Sequence, residues 1–355
     1  MADLLVPTNA GLYCPIGDFH VDPWGPVARA VITHAHADHA RAGSASYLCA
    51  TGGADVLRAR LGPTGTIESI PYGETCSLGG VALSLHPAGH ILGSAQVRLE
   101  YRGEVWVFSG DYKLAHDATT AAFEPLRCHT FVSECTFGLP IYRWPTELDV
   151  LDAINAWWSR NAEAKQISVV YAYALGKAQR VLHGLDTSTG PVLCHGAVQR
   201  MNALYRQGGV ELPETEYAGR VERAEDWQRA LILAPPSARA TPWLKRFGDF
   251  EAALVSGWMQ IRGVRRRRAV ERGFVLSDHA DWPGLLRAID ATGAQRILLT
   301  HGVTGPMVQW LRERGLQAEA LITQFEGEQD ELPEQDMAGA ADLDAESQPA
   351  EESQP

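Results

Sequence analysis

Three histidines and one aspartate follow an apolar strand within six residues, and this cluster constrains the chain more than any other feature. The strand is the β-branched run 30–32, and the cluster after it comprises His34, His36, Asp38 and His39. His34 and His36 are two residues apart, so they point the same way from an extended backbone. We expect the chain to turn into a helix over 37–42, which would aim the other two side chains at a second point nearby.

One loop of this kind can serve two metal ions. Imidazole nitrogens and a carboxylate suit zinc or manganese, and two ions about 3.5–4 Å apart are the usual arrangement for hydrolysing phosphate esters. A chance gathering of surface histidines is the alternative, but the chain has only 12 histidines in 355 residues. The cluster therefore predicts a metal site at the end of a buried strand.

A site for two metals needs more ligands, and three later strands each end in a metal-type side chain. His90, Asp111 and His301 follow the apolar runs that end at 85, 108 and 300. Open α/β sheets build their sites at the carboxyl ends of strands. Any one of these residues alone is more often a core or loop residue. All three in order after the first cluster indicate one shared site.

Together these motifs resemble the metallo-β-lactamase superfamily and, within it, the β-CASP nucleases. Glu134 in Ser133-Glu134-Cys135-Thr136 matches the first extra motif of that branch, which carries an acidic residue. His279 in Ser277-Asp278-His279-Ala280-Asp281 matches the second, and His301 matches the third. The resemblance spans residues 10 to 325. Within the branch, the chain is most similar to bacterial ligase-associated DNA exonucleases, also described as mRNA 3′-end processing factors.

The resemblance implies two divalent metal ions, Zn²⁺ or in its place Mn²⁺. One ion would be held by His34, His36 and His90 and the other by Asp38, His39 and His301, with Asp111 bridging both. A water or hydroxide between the ions would be the nucleophile, with its pKa lowered from about 15.7 toward about 7.

The resemblance also assigns roles to residues that need not touch metal. His279 would contact the scissile phosphate or protonate the leaving oxygen, and Glu134 would hold that imidazole in its tautomer. The catalytic set is then Asp38, Asp111, Glu134 and His279. The superfamily has an early aspartate that supports the metal loop through hydrogen bonds. Asp22 is our choice for it, although Asp18 fits nearly as well.

The fold class is α/β, and the resemblance implies a metallo-β-lactamase αββα sandwich with an inserted α/β β-CASP cap. We expect the first part of the sandwich domain at 1–139, the cap at 140–273, the return segment at 274–325 and a disordered acidic tail at 326–355. In the insertion, helices alternate with strands, which is typical of a parallel sheet. Predicted strands cover 46–50, 67–70, 81–85, 96–101, 104–109, 130–133, 167–173, 191–195, 230–234, 251–256, 274–277, 296–300 and 318–323. Predicted helices cover 147–161, 176–185, 197–207, 282–292 and 304–314.

The charge distribution bears on nucleic-acid binding. The tail has 11 acidic residues and no Lys or Arg, which accounts for nearly all of the net charge of −12. The rest of the chain is almost neutral, so nucleic-acid binding requires local basic clustering. A solvated helix face is one interpretation of the arginine run before the His279 motif, but its position favours salt-dependent phosphate contact. The candidate phosphate-binding residues are Arg262, Arg265, Arg266, Arg267, Arg268, Lys113 and Lys177.

Other features indicate the compartment. The amino terminus lacks a basic region and a long apolar run, and no stretch approaches about 18 uninterrupted apolar residues. We therefore expect a soluble cytoplasmic protein that does not bind membranes. The six cysteines contain no C-x-x-C pair, so we expect free thiols in a reducing compartment. Cys135 is a candidate ligand beside Glu134, with core filling as the alternative.

These features favour a dinuclear-metal-dependent nuclease that acts on single-stranded or end-bearing nucleic acid, with DNA exonuclease activity in DNA repair as the favoured reading. A ligase or helicase partner is implied by the resemblance alone. The alternative is an RNA-processing ribonuclease, because RNA-cleaving members keep a histidine at the position of His301 and eukaryotic DNA-repair members typically do not. A two-zinc hydrolase of a small thioester or lactam is more distant, since it leaves the insertion and the arginine run unexplained.

Overall fold

The computed structural model describes residues 3–63, 65–220, 227–239, 241–261 and 272–324, which form a mixed α/β protein with three β-sheets. The α/β class is thus confirmed. The helices are α1 (Ala54–Leu61), α2 (Glu147–Glu163), α3 (Lys177–His183), α4 (Gly196–Gln207), α5 (Trp282–Thr292) and α6 (Thr304–Arg312). The strands are β1 (Val6–Thr8), β2 (Gly11–Cys14), β3 (Phe19–Val21), β4 (Arg29–Val31), β5 (Ser46–Ala50), β6 (Thr66–Ile70), β7 (Thr75–Leu78), β8 (Val81–Pro87), β9 (Ala95–Tyr101), β10 (Glu104–Phe108), β11 (Thr130–Glu134), β12 (Ile167–Tyr171), β13 (Val192–Cys194), β14 (Glu216–Tyr217), β15 (Leu231–Ala234), β16 (Phe250–Val255), β17 (Arg272–Phe274), β18 (Arg296–Thr300) and β19 (Gln317–Ala320).

Two of the sheets share one apolar core. The first has six strands in the order β1 to β6, and the second has seven in the order β19-β18-β11-β10-β9-β8-β7. Side chains of both meet in a single buried cluster that contains Val31 and Leu48 from the first sheet and Leu83, Val97 and Phe108 from the second. Helices α5 and α6 contribute Leu285 and Leu311 to another cluster, with strands of the second sheet. The outer face of that sheet is therefore covered by helices.

The third sheet is built from the middle of the chain and is entirely parallel, in the order β14-β13-β15-β12-β16-β17. The alternation of helices and strands in this segment predicted a parallel sheet, and that prediction is confirmed. Strands β12 and β15 are fully buried, as continuous β-branched and aliphatic runs in parallel sheets usually are.

Local capping explains why several helices begin and end where the sequence predicted. Helix α5 begins at Asp281, whose carboxylate accepts the N–H of Gly284. It ends at Gly293, which adopts the left-handed conformation with φ 64°. Helix α2 begins in the same way, because the Thr146 side chain accepts the N–H of Asp149.

Two predicted elements are wrong. Residues 37–39 form a single turn instead of a helix over 37–42. The N–H groups of His39 and Ala40 both bond to the His36 carbonyl, and the chain then reaches Gly43, whose φ of 104° is incompatible with a helix.

The strand predicted at 274–277 instead covers Arg272–Phe274, and it pairs with β16 in the third sheet. The residues after it serve other partners, since the Ser277 carbonyl accepts from Arg180 and the Asp278 carbonyl accepts from His90. A chain segment committed to these side chains cannot continue a ladder.

Some features lie beyond these elements. The arginine run at 262–268 and the acidic tail fall outside the described residues. Among the residues that are described, no helix has the length and apolar content that crossing a membrane requires. The short strands β1 to β3 and β7 had not been predicted, because each has only three or four residues.

Candidate metal centre

The residues predicted as ligands converge from the ends of four strands. The first cluster follows β4, His90 follows β8, Asp111 follows β10 and His301 follows β18. His301 adopts a left-handed backbone conformation with φ 60°, which is uncommon for a residue with a side chain. The following Gly302 is also left-handed, and a Cβ there would lie 2.4 Å from the Cys135 carbonyl oxygen. This tight turn directs the imidazole of His301 back over the sheet edge.

One group of ligand atoms comprises His34, His36, His90 and Asp111. His36 Nδ1 lies 3.1 Å from both His34 Nε2 and His90 Nε2. Asp111 Oδ2 lies 3.6 Å from His34 Nε2 and 3.9 Å from His90 Nε2. Four ligands at about 2.05 Å from a tetrahedral ion are separated by about 3.3 Å. The four atoms therefore fit around a single ion such as zinc.

A second group comprises Asp38, His39 and His301. His39 Nε2 lies 3.6 Å from Asp38 Oδ2 and 3.4 Å from Asp111 Oδ2. The other Asp111 oxygen, Oδ1, lies 3.7 Å from His301 Nε2, which is too far for a hydrogen bond. Asp111 thus faces both groups, and its buried Oδ1 has no hydrogen-bond partner among the described residues. A buried carboxylate oxygen in this state fits a bound cation.

The outer nitrogens of two of these rings donate to backbone carbonyls. His90 Nδ1 lies 2.8 Å from the Asp278 carbonyl oxygen, and His36 Nε2 lies 3.1 Å from that of Leu175. Such contacts fix the tautomer and aim the other ring nitrogen at the ion. They explain why His36 presents Nδ1 and His90 presents Nε2. Both carbonyls lie far along the chain from the histidines. The Asp278 carbonyl belongs to the His279 motif and the Leu175 carbonyl lies just before Lys177, but neither carbonyl was assigned a role from the sequence.

Two other rings are held by the threonines immediately before them. His34 Nδ1 is 3.0 Å from Thr33 Oγ1, and His301 Nδ1 is 2.7 Å from Thr300 Oγ1. Each pair repeats a Thr-His sequence at the end of a strand. This repeat was the available sequence signal for the two supporting threonines, and it went unused.

Asp22 supports the cluster from the side of the early strands. Its carboxylate accepts the backbone N–H of Thr33 at 2.8 Å and the hydroxyl of Thr33 at 2.6 Å. His39 Nδ1 lies 2.7 Å from the same carboxylate. Asp22 is fully buried, whereas Asp18 bonds to Tyr13 in an exposed position. Of the two aspartates considered from the sequence, Asp22 is the one that the fold places against the metal loop.

The pocket keeps most of its imidazoles neutral. Burial lowers the pKa of His36 to about 3 and that of His90 to about 4. Burial also lowers the pKa of His34 and of His301. Neutral imidazole is the form that binds metal.

His39 behaves in the opposite way. Its burial favours the neutral ring, but the Asp111 and Asp38 carboxylates outweigh burial and raise its pKa well above the ordinary value. Asp111 shows the complementary effect, since His39, His279 and His301 outweigh burial and lower its pKa. Without an ion, a proton on His39 thus offsets one of the two negative charges of Asp38 and Asp111.

Glu134 and His279 form a buried pair beside the ligands. His279 Nδ1 lies 2.9 Å from Glu134 Oε2, and the other Glu134 oxygen accepts the backbone N–H of Tyr112 at 2.7 Å. His279 Nδ1 also lies 4.0 Å from Asp111 Oδ2, and the ring centroids of His279 and His90 are 4.7 Å apart. Cys135, next to Glu134, is fully buried in an apolar cluster and belongs to none of the ligand groups.

The two lysines expected to contact phosphate have a different environment. Lys113 is 1% exposed and lies 3.1 Å from Asp117, and Lys177 is 1% exposed and lies 3.6 Å from Asp278. Arg180 joins them at the centre of a buried charge cluster. A phosphate could reach Lys113 or Lys177 only by displacing these carboxylates, so the structure argues against direct contact. We call this set the ion-pair cluster, and it comprises Lys113, Asp117, Glu147, Lys177, Arg180 and Asp278.

Comparison with known proteins shows two relatives of this chain. The chain is 33% identical over 320 residues to a probable DNA ligase of Opitutus terrae, covering 89% of this chain and 31% of that protein. It is 22% identical over 303 residues to Endoribonuclease YSH1 of Saccharomyces cerevisiae, covering 68% of this chain and 38% of that protein. The chain is homologous to proteins of the β-CASP metallo-β-lactamase family, which confirms the resemblance carried by the motifs. It spans less than half the length of these relatives, and no family model matches it.

A solved structure shares the fold. A protein of unknown function from Enterococcus faecalis V583 superimposes with a TM-score of 0.55 at 12% sequence identity, covering 84% of this chain and 80% of that one.

Proposed function

We propose that the chain is a dinuclear-metal-dependent nuclease that hydrolyses phosphodiester bonds. The observation that carries this proposal is Asp111, whose two oxygens face two ligand groups with separations that suit metal ions. One ion would be held by His34, His36 and His90 and the other by Asp38, His39 and His301, with Asp111 shared.

Zinc suits this donor set, and manganese is a substitute with compatible ligands. When bound, a pair of divalent ions supplies charge stabilisation at the phosphate and lowers the pKa of a nucleophilic water. The chain's own part is to hold the ligand atoms in place through Asp22, Thr33 and the carbonyls of Leu175 and Asp278.

His279 would complete the reaction by giving a proton to the leaving oxygen. Its Nδ1 is engaged with Glu134, so the proton would be transferred from Nε2. Glu134 accepts from both His279 and the Tyr112 backbone, which fixes the carboxylate and, through it, the tautomer and orientation of the ring. Glu134 is therefore a positioning residue in this proposal and His279 the proton donor.

We favour DNA as the substrate and an exonuclease role in DNA repair. The similarity to a probable DNA ligase covers most of this chain and supports an association with a ligase, with a helicase as another partner of repair chemistry. RNA processing is the second candidate, because the name of YSH1 describes an endoribonuclease. The presence of His301, which RNA-cleaving members keep, also favours it.

The domain arrangement is part of the proposal. The first two sheets would form a metallo-β-lactamase αββα sandwich from residues 1–139 and 274–325, with the third sheet as the β-CASP cap in 140–273. The apolar cluster shared by the first two sheets and the parallel topology of the third support this division. The protein would act in the cytoplasm, and the arginine run would contact the phosphate backbone.

A time course on matched single-stranded DNA and RNA, labelled at either end, tests the proposal. Metal-loaded protein should shorten DNA, and Asp38→Ala should not. Cleavage confined to RNA would replace the DNA assignment, and full activity of the Asp38→Ala protein would refute the metal site.

A further inference from the structure

A group of four aromatic rings, centred on Phe137, lies beside His279. The Phe137 centroid is 6.0 Å from the His279 ring, 4.7 Å from the Trp144 ring and 4.9 Å from the Trp258 ring. The Tyr142 ring packs 4.8 Å from that of Phe137. The four residues come from two loops, one before α2 and one after β16, and they meet beside the proposed proton donor.

The rings differ in exposure. Phe137 and Tyr142 are buried, at 0% and 3% exposed, and form the floor of the group. Trp144 and Trp258 pack against Phe137 and are half-buried, so each residue keeps some exposure to solvent.

Trp144 is also held rigidly. Its Nε1–H donates to the His279 carbonyl oxygen at 2.9 Å, and its backbone N–H donates to Asp281 at 3.0 Å. The polar end of the indole is therefore turned inward. A ring fixed in this way loses little conformational entropy when a ligand stacks on it.

We propose that Trp144 and Trp258 form a stacking subsite for an unpaired nucleobase adjacent to the scissile phosphate. This inference rests on the proposed nuclease function and specifies its substrate as single-stranded at the site. The described ligand groups can engage a phosphate but offer no surface to a base. Indole rings stack on any base because every base has a π face, so the subsite would tolerate different sequences.

The charge of the surroundings agrees with a nucleic-acid strand. Arg143 is exposed between Tyr142 and Trp144, and the arginine run begins four residues after Trp258 in the sequence. Alternating basic and aromatic side chains are typical of surfaces that follow a single strand, with cations on the phosphates and rings on the bases.

The test uses oligonucleotides in which a single abasic position is moved along the strand around the cleaved bond. With the wild-type protein, one position should lower kcat/KM by roughly 5- to 150-fold, the range for losing one base stacked on an aromatic ring. Trp258→Leu should lose a similar factor on the intact strand and become insensitive to that abasic position. Trp258→Phe, which keeps a smaller ring, should retain the sensitivity.

Trp243→Leu is the matched control, since that half-buried indole packs on His195 and Phe247 of the third-sheet region. It should leave both the rate and the abasic penalty unchanged. If no abasic position lowers the rate, or if Trp258→Leu keeps the full penalty, the subsite is refuted while cleavage itself still supports the nuclease.

A binding measurement separates the two proposals. Fluorescence of an oligonucleotide that carries 2-aminopurine should be quenched on binding to Asp38→Asn and should stay unquenched with Asp38→Asn/Trp258→Leu. Quenching without any cleavage by the wild type would keep the subsite and overturn the nuclease. Cleavage without quenching would do the reverse, and the absence of both would overturn both.

Discussion

Two buried polar regions lie side by side in this protein, and they satisfy their charges in opposite ways. In the ion-pair cluster, three cations face three carboxylates, and Arg180 alone contacts Asp117, Glu147 and Asp278. In the candidate metal centre, Asp38 and Asp111 lie beside several histidines. Burial lowers the pKa of three of them, His34, His90 and His301. The charges of the ion-pair cluster balance one another, whereas the candidate metal centre carries an excess of negative charge.

The difference explains what each region can do. Buried charges are tolerated when they are paired, and a paired cluster has nothing left to offer a ligand. A buried pocket with an excess of negative charge is instead suited to bind a cation. The two regions meet at Asp278, whose carboxylate pairs with Lys177 and Arg180 while its carbonyl oxygen accepts from the ligand His90. The ion-pair cluster can therefore fix Asp278 and, through its carbonyl oxygen, the orientation of His90 in the candidate metal centre.

Removing the shared ligand should have the largest effect. Asp111→Asn weakens both ligand groups at once, so we expect loss of several kcal/mol of transition-state stabilisation, about a thousand-fold or more in kcat/KM. Metal content by mass spectrometry should fall below two ions per chain, while the folded protein persists. The exposed Asp55→Asn serves as the control, and two tightly bound ions with normal turnover in Asp111→Asn would contradict the assignment.

Breaking the ion-pair cluster should instead cost stability. Arg180→Met removes one of the three cations that face three carboxylates, which leaves one negative charge of the cluster unbalanced. The free energy of unfolding should fall by about 3–5 kcal/mol. Urea denaturation of the metal-free protein measures this change. Arg58→Met removes an exposed ion pair with Asp55 and should cost at most about 1 kcal/mol. Equal losses of unfolding free energy in the two variants would show that the ion-pair cluster stabilises the fold no more than an exposed ion pair does.

Asp22 supports the pocket without belonging to either ligand group, so its effect should be smaller. Asp22→Asn weakens the acceptor of His39 Nδ1, and metal affinity should fall about 10- to 100-fold, as for other partners of metal-bound histidines. Competition with a chromophoric chelator measures the affinity. Asp18→Asn, at an exposed position in the turn before β3, should bind metal as the wild type does. An unchanged affinity in Asp22→Asn would show that the loop holds its shape without this carboxylate.

The smallest predicted effect is the release of one proton when metal binds. His39 has a raised pKa in the metal-free protein because Asp111 and Asp38 outweigh its burial, so metal binding near neutral pH should release a proton from it. Calorimetric titration in buffers of different ionisation enthalpy counts that proton, and affinity should rise with pH until the pKa of His39 is passed.

The same shift sets a stability trend. A raised pKa means that the protonated ring stabilises the metal-free fold fully below its unfolded pKa of about 6.5, and that this stability is lost as pH rises through the folded value. Bound metal should remove the trend. A metal-free melting temperature that increases over this pH range would argue that His39 is neutral.

The sequence by itself determined which residues could meet. Strand ends followed by His34, His90, Asp111 or His301 predicted one edge where ligands gather, because parallel strands place their carboxyl ends together. The structure brings all four there, and it also pairs Glu134 with His279, which the motifs had associated. Strands β5 and β18 and helix α5 were predicted to the residue, since apolar runs and caps are local signals.

The tertiary structure decided what surrounds those residues. Lys113 and Lys177 looked like phosphate contacts, but their burial depends on Asp117 and Asp278, which the chain brings alongside them only when it folds. The carbonyl of Leu175 that orients His36 has no sequence signature, because every residue carries one. The stretch 37–42 was predicted as a helix from its local pattern, but the structure has a single turn at 37–39. Patterns along the chain specify the donors. Several of the partners that orient them, such as the carbonyls of Leu175 and Asp278, come from segments more than a hundred residues away.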